Sequence, residues 1–150
     1  MIFTMMVKSN GSTQLFIVHR EESYNLLFKL LDKLTAKRLI IFLSGNIGVG
    51  KTTFVKYYIK HLNPSKNAYS PTFSLINEYI VSDLKIYHYD LYRLSDYREL
   101  QEIGVDYSLD SNGLHFIEWP NKFVDKLPTP DIRISFQSLE YGTFLSINNE

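Results

Sequence analysis

The chain has 150 residues, of which 45% are hydrophobic and 21% charged, a composition typical of folded globular proteins and unlike that of disordered or fibrous ones. Sixteen basic and sixteen acidic side chains cancel, which excludes a protein that binds nucleic acid mainly through a large positive charge. Cysteine is absent, which excludes disulfides and thiolate zinc sites, and no apolar run approaches the ~20 residues of a membrane span, so we expect one cytoplasmic domain over residues 1–150.

The predicted elements alternate between strand and helix in the first half of the chain. A short strand is predicted over 14–18, and apolar side chains at helical spacing predict an amphipathic helix over 21–34. The continuous apolar run at 39–43 is typical of a central parallel strand that is covered on both faces. It leads into a glycine-rich turn, after which 52–62 is predicted as a helix that ends before Pro64.

The second half of the chain is predicted to contain shorter elements. In chain order they are a polar loop over 63–70, a hairpin of 73–81 and 85–89, a helix over 96–103, a strand over 114–117, and a terminal hairpin of 131–136 and 143–147. A strand, a glycine turn and a helix in succession, followed by a later strand that ends in an acid, predict an α/β three-layer P-loop NTPase fold. The hairpins predict a mixed, mainly parallel central sheet with added antiparallel hairpins.

The glycine-rich turn carries the pattern Gly-x-x-x-x-Gly-Lys-Thr, the Walker A phosphate-binding loop. Its glycines let backbone N–H groups point at phosphates, and the N-terminal end of the following helix favours the same negative charge. Lys51 supplies positive charge to the β- and γ-phosphates, and the Thr52 hydroxyl can bind Mg²⁺. No Asn-Lys-x-Asp guanine-reading string is present, which favours ATP. The residues expected to contact ATP here are Gly45, Asn46, Ile47, Gly48, Val49, Gly50, Lys51, Thr52 and Thr53.

Two acids follow predicted strands and are expected to lie near the phosphates. Magnesium prefers oxygen ligands, and ligands of α/β sheets bind at the carboxyl ends of the strands. Glu118 ends its strand as a Walker B acid does, and Asp90 ends another. Either could instead be a helix cap or a solvated charge. The expected metal ligands are Thr52, Asp90 and Glu118, and which carboxylate positions the attacking water is left open.

Thr72 belongs to a Ser-Pro-Thr segment that follows the polar loop. Many P-loop proteins place there a hydroxyl that senses the γ-phosphate, although a plain turn is the simpler explanation. His88 shares a strand face with Asp90 and could orient it, or it could be a structural histidine. No histidine is assigned a catalytic role. The residues expected to act in hydrolysis are Lys51, Thr72, Asp90 and Glu118.

Two further residues have both a functional and a structural interpretation. Trp119 follows Glu118 and either lines the nucleotide site or packs in the core. Arg93 could contact a phosphate or a partner, or form a salt bridge with an acid such as Glu99. Trp119 is included among the expected nucleotide contacts, whereas Arg93 is not.

Several segments together resemble one family, the TsaE (YjeE) ATPases of the bacterial tRNA threonylcarbamoyladenosine system. The similar segments, in family order, are 45–54, 70–73, 87–94, Glu99-Leu100 before Ile103-Gly104, and 117–120. They cover roughly 21–122, most of the chain. The Walker loop is shared by many families, so the strings His-x-Asp-Leu-Tyr-Arg and Glu-Trp-Pro carry the specificity of the resemblance.

The resemblance implies roles for individual residues. Lys51 and Thr52 would hold phosphate and magnesium, Thr72 would lie in a switch-like loop, Asp90 would belong to the magnesium site, and Glu118 with Trp119 would occupy the Walker B position. It also implies TsaD and TsaB as partners in modifying adenosine 37 of tRNA, with tRNA contacted indirectly and ATP hydrolysis supporting turnover of that assembly. Because no residue is an evident strong base, hydrolysis by the chain alone is expected to be slow and to be raised by a partner. Asn46 departs from the family, which usually has an acid there, and 36–38 lacks the glycine that commonly precedes the Walker strand. A small-molecule kinase and a nucleotide-gated binding module are the alternatives.

Overall fold

The structure is a computed structural model that describes residues 5–10, 13–34 and 37–149. These residues form eight strands and four α-helices, with 3₁₀ turns at Glu21–Tyr24 and Pro120–Lys122. The strands are β1 (Met5–Asn10), β2 (Thr13–Val18), β3 (Arg38–Ser44), β4 (Ile76–Val81), β5 (Leu84–Asp90), β6 (Gly113–Glu118), β7 (Ile132–Leu139) and β8 (Gly142–Asn149). The helices are α1 (Asn25–Asp32), α2 (Lys51–Leu62), α3 (Tyr97–Glu102) and α4 (Val105–Asp110).

The eight strands form one sheet in the order β1-β2-β8-β7-β3-β6-β5-β4. Its centre is parallel, because β3 pairs in parallel with β7 and β6, and β6 pairs in parallel with β5. The remaining pairs, which extend both edges, are antiparallel. The predicted mixed sheet with added hairpins is therefore confirmed. In this arrangement the carboxyl ends of β3, β5 and β6 meet at one edge.

Helices cover both faces of the sheet. On one face, Ile41 and Leu43 of β3 belong to the same core cluster as Phe54 of α2 and the buried residues of α1. On the other face, Ile40 and Phe42 share a cluster with the buried residues of α3 and α4. This alternation follows from the two-residue period of a strand and explains why β3 has an uninterrupted apolar run. The three-layer prediction is confirmed.

The strand that opens the first hairpin begins later than predicted. It was expected from residue 73, but β4 starts at Ile76, because the chain turns over the preceding residues. The Leu75 N–H donates to the Pro71 carbonyl at 2.6 Å, and Leu75 itself has a φ of 65°. A branched-chain residue with positive φ is uncommon and marks a tight turn. This turn points Thr72 toward the end of β5.

Other differences concern the short helices and β1 (Met5–Asn10), which was not predicted. The helix predicted over 21–34 begins as a 3₁₀ turn and is α-helical over Asn25–Asp32. The helix predicted over 96–103 is confirmed as α3, and a second short helix, α4, follows it without having been predicted. Gly104 separates the two with a φ of 79°, a conformation that glycine adopts without strain. No helix in the described part of the chain is long and apolar enough to span a membrane.

Candidate functional site

The Walker A loop joins β3 to α2 at the carboxyl edge of the parallel strands. The loop bends through Gly45, Gly48 and Gly50, whose φ angles are 146°, 75° and 108°. Gly45 has a second reason to be glycine, because a Cβ there would lie 2.6 Å from the Phe136 carbonyl oxygen. Gly50 caps the N-terminus of α2, whose first residue is Lys51. The unpaired N–H groups of this helix start therefore lie beside the loop, as an anion site requires.

Lys51 is held by its own loop. Its side chain is buried, and Nζ donates hydrogen bonds to the carbonyl oxygens of Gly45 at 2.7 Å and Asn46 at 2.9 Å. Nζ also lies 4.1 Å from the centroid of the Trp119 ring, a cation–π distance. Burial lowers the pKa of Lys51, and the carboxylates at the ends of β5 and β6 act in the opposite direction. Within the described part of the chain, this desolvated ammonium group is thus bound to neutral acceptors and to an aromatic face.

Two carboxylates lie side by side at the ends of β5 and β6. Asp90 and Glu118 are register partners, and they are 6% and 3% exposed. Thr52 Oγ1 donates to Glu118 Oε1 at 2.7 Å, and Thr72 Oγ1 donates to Asp90 Oδ2 at 2.9 Å. The Tyr92 N–H adds a bond to Asp90 Oδ1 at 3.1 Å. The structure therefore brings together the four oxygen-bearing side chains that the sequence placed in one site, and each carboxylate has its own threonine.

Glu118 has a second side-chain donor that the sequence did not assign to it. His88 Nε2 lies 2.8 Å from Glu118 Oε1, and the imidazole is fully buried. The two-residue strand period correctly places His88 on the face of Asp90, but its contact is with the carboxylate of the neighbouring strand. The cross-strand partner follows from the parallel register of β5 and β6, which the sequence pattern does not provide.

A cavity of about 410 Å³ opens between the Walker loop and these carboxylates. The predicted site residues that line it are Ile47, Gly48, Gly50, Lys51, Thr52, Thr53, Thr72, Asp90, Glu118 and Trp119. Three predicted residues, Gly45, Asn46 and Val49, instead line a cleft on the other side of the loop. Tyr92, which was not predicted, and Arg93 also line the cavity. The string His-x-Asp-Leu-Tyr-Arg, which contains Tyr92, was the available signal for it.

Trp119 fits both interpretations offered for it. It lines the cavity, and it also packs against the core cluster formed with α3 and α4. Its ring lies 4.9 Å from that of Tyr92, and its backbone has a φ of 60°, a strained value for a bulky residue. Arg93 places its guanidinium 4.9 Å from the centroid of the Phe73 ring, whereas Glu99 accepts backbone bonds at the start of α3.

The donor set at the cavity suits a hard cation that is shared with phosphate. Within the described ranges, no group of three or more His, Cys, Asp or Glu side chains could hold a metal ion. Magnesium beside a nucleotide takes several of its oxygen ligands from phosphates and water and needs only one or two carboxylates. Thr52, Asp90 and Glu118 offer oxygen atoms of the right type at one edge of the cavity. The residues present therefore fit Mg²⁺ bound together with a nucleotide.

Comparison with known proteins identifies the family. The model of the family "Threonylcarbamoyl adenosine biosynthesis protein TsaE" matches residues 18–143. The chain belongs to the TsaE family. It is 38% identical to the tRNA threonylcarbamoyladenosine biosynthesis protein TsaE of Rickettsia felis over 127 residues, which are 84% of this chain and 74% of the relative. It is 34% identical to the TsaE of Bacillus subtilis over 110 residues, 71% of this chain and 68% of the relative.

The fold of this TsaE family member also matches a solved structure. The crystal structure of Bacillus subtilis YdiB superposes with a TM-score of 0.70, covering 94% of this chain and 88% of that chain at 24% identity. The similarity supports the P-loop NTPase-type fold read from the sequence. TsaE membership associates the chain with tRNA threonylcarbamoyladenosine biosynthesis and implies nucleotide binding.

Proposed function

We propose that this TsaE family member binds ATP with Mg²⁺ and hydrolyses it to support turnover of a TsaD–TsaB assembly that threonylcarbamoylates adenosine 37 of tRNA. The observation that carries the proposal is the meeting of the Walker loop with the Thr52–Glu118 and Thr72–Asp90 pairs at one edge of the sheet. The chain would act as a single ATPase domain in the cytoplasm, and tRNA would be contacted through the partners.

Each residue has a chemical task in this proposal. Lys51 would exchange its bonds with the Gly45 and Asn46 carbonyls for bonds with phosphate oxygens, which are stronger because both partners are charged. Thr52, Asp90 and Glu118 would hold Mg²⁺, which when bound neutralises the charge on the phosphoryl oxygens. The amides of the loop and of the first turn of α2 would stabilise the same charge as water attacks.

Hydrolysis by the chain alone is expected to be slow. P-loop ATPases gain much of their rate from a cationic side chain that reaches the γ-phosphoryl group in the transition state. Among the described residues, Arg93 is the one other cation that lines this cavity, and its guanidinium lies over the ring of Phe73 and not against the Walker loop. Completion or reorientation of the site by a partner would therefore raise the rate.

A nucleotide-gated binding module is a second candidate, and one observation favours it. Phe73 directly follows Thr72 and is 88% exposed, and Ile47 of the Walker loop is 72% exposed. Apolar side chains so close to the nucleotide would let a partner respond to the bound state without turnover. A small-molecule kinase has less support, because the sequence between the Walker loop and Glu118 contains no arginine-rich lid.

The decisive experiment measures phosphate release from Mg·ATP by the purified chain mixed with TsaD and TsaB. The wild type is expected to hydrolyse ATP faster than Lys51→Ala, and Lys60→Ala, which removes a lysine from the same helix outside the cavity, serves as the matched control. Equal rates for wild type and Lys51→Ala would refute the ATPase proposal. Complex formation with ATP, ADP and a non-hydrolysable analogue would then test the binding module, and a screen of nucleosides, nucleotides and small alcohols would test the kinase.

A further inference from the structure

His88 is a buried polar residue whose presence is not explained by packing. It lies in β5 with no exposed surface, and its register partner in β6 is Phe116. Its strand face is the one covered by α1 and α2, which otherwise buries apolar side chains such as Ile86. An aliphatic residue would fill such a position without burying a polar ring. The histidine therefore needs a reason in its contacts.

The contact of His88 with Glu118 has a defined direction. A carboxylate oxygen accepts hydrogen bonds, so the hydrogen in the 2.8 Å contact must be on His88 Nε2. Thr52 donates to the same oxygen, Oε1, at 2.7 Å. Among the described residues, Oε2 of Glu118 receives no hydrogen bond. Two donors from different elements thus fix one oxygen of the carboxylate and leave the other for a ligand in the cavity.

Burying the second ring nitrogen of His88, Nδ1, costs folding free energy. Nδ1 is buried and has no hydrogen-bond partner among the described residues. A buried polar atom without a partner is rare in folded proteins and destabilises the fold. His115, the other fully buried histidine in the core strands, has partners for both nitrogens, Tyr89 and Ser111. The unpartnered Nδ1 of His88 therefore indicates that the role of this residue lies in the contact of its Nε2 with Glu118.

We propose that His88 is a positioning residue, which holds the Glu118 carboxylate by Nε2–H···Oε1 so that Oε2 is directed at Mg·ATP. This inference rests on the proposed function, because it assigns an orienting partner to a residue of that site. Thr52 can fix Oε1 from the Walker helix, but it is also expected to bind the cation. His88 belongs to the sheet and holds Glu118 independently of the loop.

A pair of amide variants separates positioning from packing. The Gln side chain places its N–H₂ close to the position of His Nε2, whereas the Asn N–H₂ falls near Nδ1 and does not reach Glu118. The measurement is the affinity for ATP at several Mg²⁺ concentrations by calorimetry, together with kcat and KM in the presence of TsaD and TsaB. His88→Asn is expected to lower the Mg²⁺-dependent affinity for ATP about 10-fold or more, as is typical when an outer-shell partner of a metal ligand is removed. His88→Gln keeps the donor and is expected to stay within about threefold of the wild-type affinity.

His115→Asn is the matched control, because it removes a buried histidine from the neighbouring strand on the opposite face. It is expected to lower the midpoint of thermal unfolding without changing the Mg²⁺ dependence of ATP affinity per folded molecule. The inference is overturned if His88→Asn and His88→Gln have the same Mg²⁺ dependence, whether both resemble wild type or both are weakened. Failure of the proposed function looks different, since the wild type itself would then show no Mg²⁺-dependent ATP binding.

Discussion

The hydroxyl of Thr72 can be removed with little change in shape by the substitution Thr72→Val. In the structure this hydroxyl donates to Asp90 Oδ2 at 2.9 Å and lies 2.7 Å from Ser70 Oγ. Because it has a single proton, Ser70 must donate to Thr72 when Thr72 donates to Asp90. Valine would remove both contacts. Ser70 is exposed, so water can accept the hydrogen bond that Ser70 loses, whereas the buried Asp90 carboxylate loses a donor.

The size of the effect follows from the surroundings of Asp90. Its carboxylate is 6% exposed, and it would retain the Tyr92 N–H on Oδ1. A hydrogen bond to a charged group contributes about 1.5–3 kcal/mol, and since Thr72 is only half-buried, the lower end of that range applies. If the bond is needed to orient Asp90 in the transition state, about 1.5 kcal/mol corresponds to about a 10-fold fall in kcat.

The assay is steady-state phosphate release with TsaD and TsaB at saturating Mg·ATP, alongside ATP affinity by calorimetry. Thr72→Val is expected to lower kcat more than it weakens binding, whereas Thr72→Ser keeps the hydroxyl and is expected to retain most of the activity. Ser70→Ala controls for the second contact, because its loss is compensated by water. A Thr72→Val protein with wild-type kcat would show that Thr72 is a plain turn residue and not a sensor.

Two further predictions concern the Walker loop. Since burial lowers the pKa of Lys51 from the ordinary 10.5, raising the pH should remove its charge, and with it ATP affinity, earlier than for an exposed lysine. Glu118→Gln removes a charge that raises this pKa, so an NMR titration of the nucleotide-free protein should give a lower midpoint, and an unchanged or higher one would contradict the assignment. Gly48→Ala should lower the free energy of unfolding by about 1–2 kcal/mol through left-handed strain alone, because nothing lies within 4 Å of its added Cβ. Gly45→Ala should cost at least about twice as much, because its Cβ meets Phe136, and equal losses by urea denaturation would refute this reasoning.

The parts of the fold and site that could be predicted share a local cause. β3, the Walker loop and α2 form a continuous stretch in which an apolar run, glycines and helical spacing each act over a few residues. The grouping of Asp90 with Glu118 was also accessible, because both follow strands and the carboxyl ends of parallel strands meet at one edge. These inferences need no knowledge of which side chain touches which.

What could not be predicted depends on tertiary register and on weak local signals. The helix α4 has six residues, and a helix so short gains its stability from packing Val105 and Leu109 into the core instead of from propensity. The assignment of one threonine to each carboxylate depends on where α2 and the turn before β4 lie, and the contact of His88 with Glu118 depends on the pairing of β5 with β6. A one-residue change of the β5 register would turn His88 and Asp90 to the other face of the sheet.

The turn between Pro71 and Ile76 links the cavity to the surface through Asp90. The Asp90 carboxylate accepts from Thr72, and the Asp90 N–H donates to the Leu75 carbonyl at 3.0 Å, so both ends of the turn are tied to one residue of β5. Between these two contacts Phe73 is 88% exposed, and the Arg93 guanidinium lies over its ring. The turn that brings a hydroxyl to the carboxylate therefore also presents a large aromatic side chain to solvent next to the cavity.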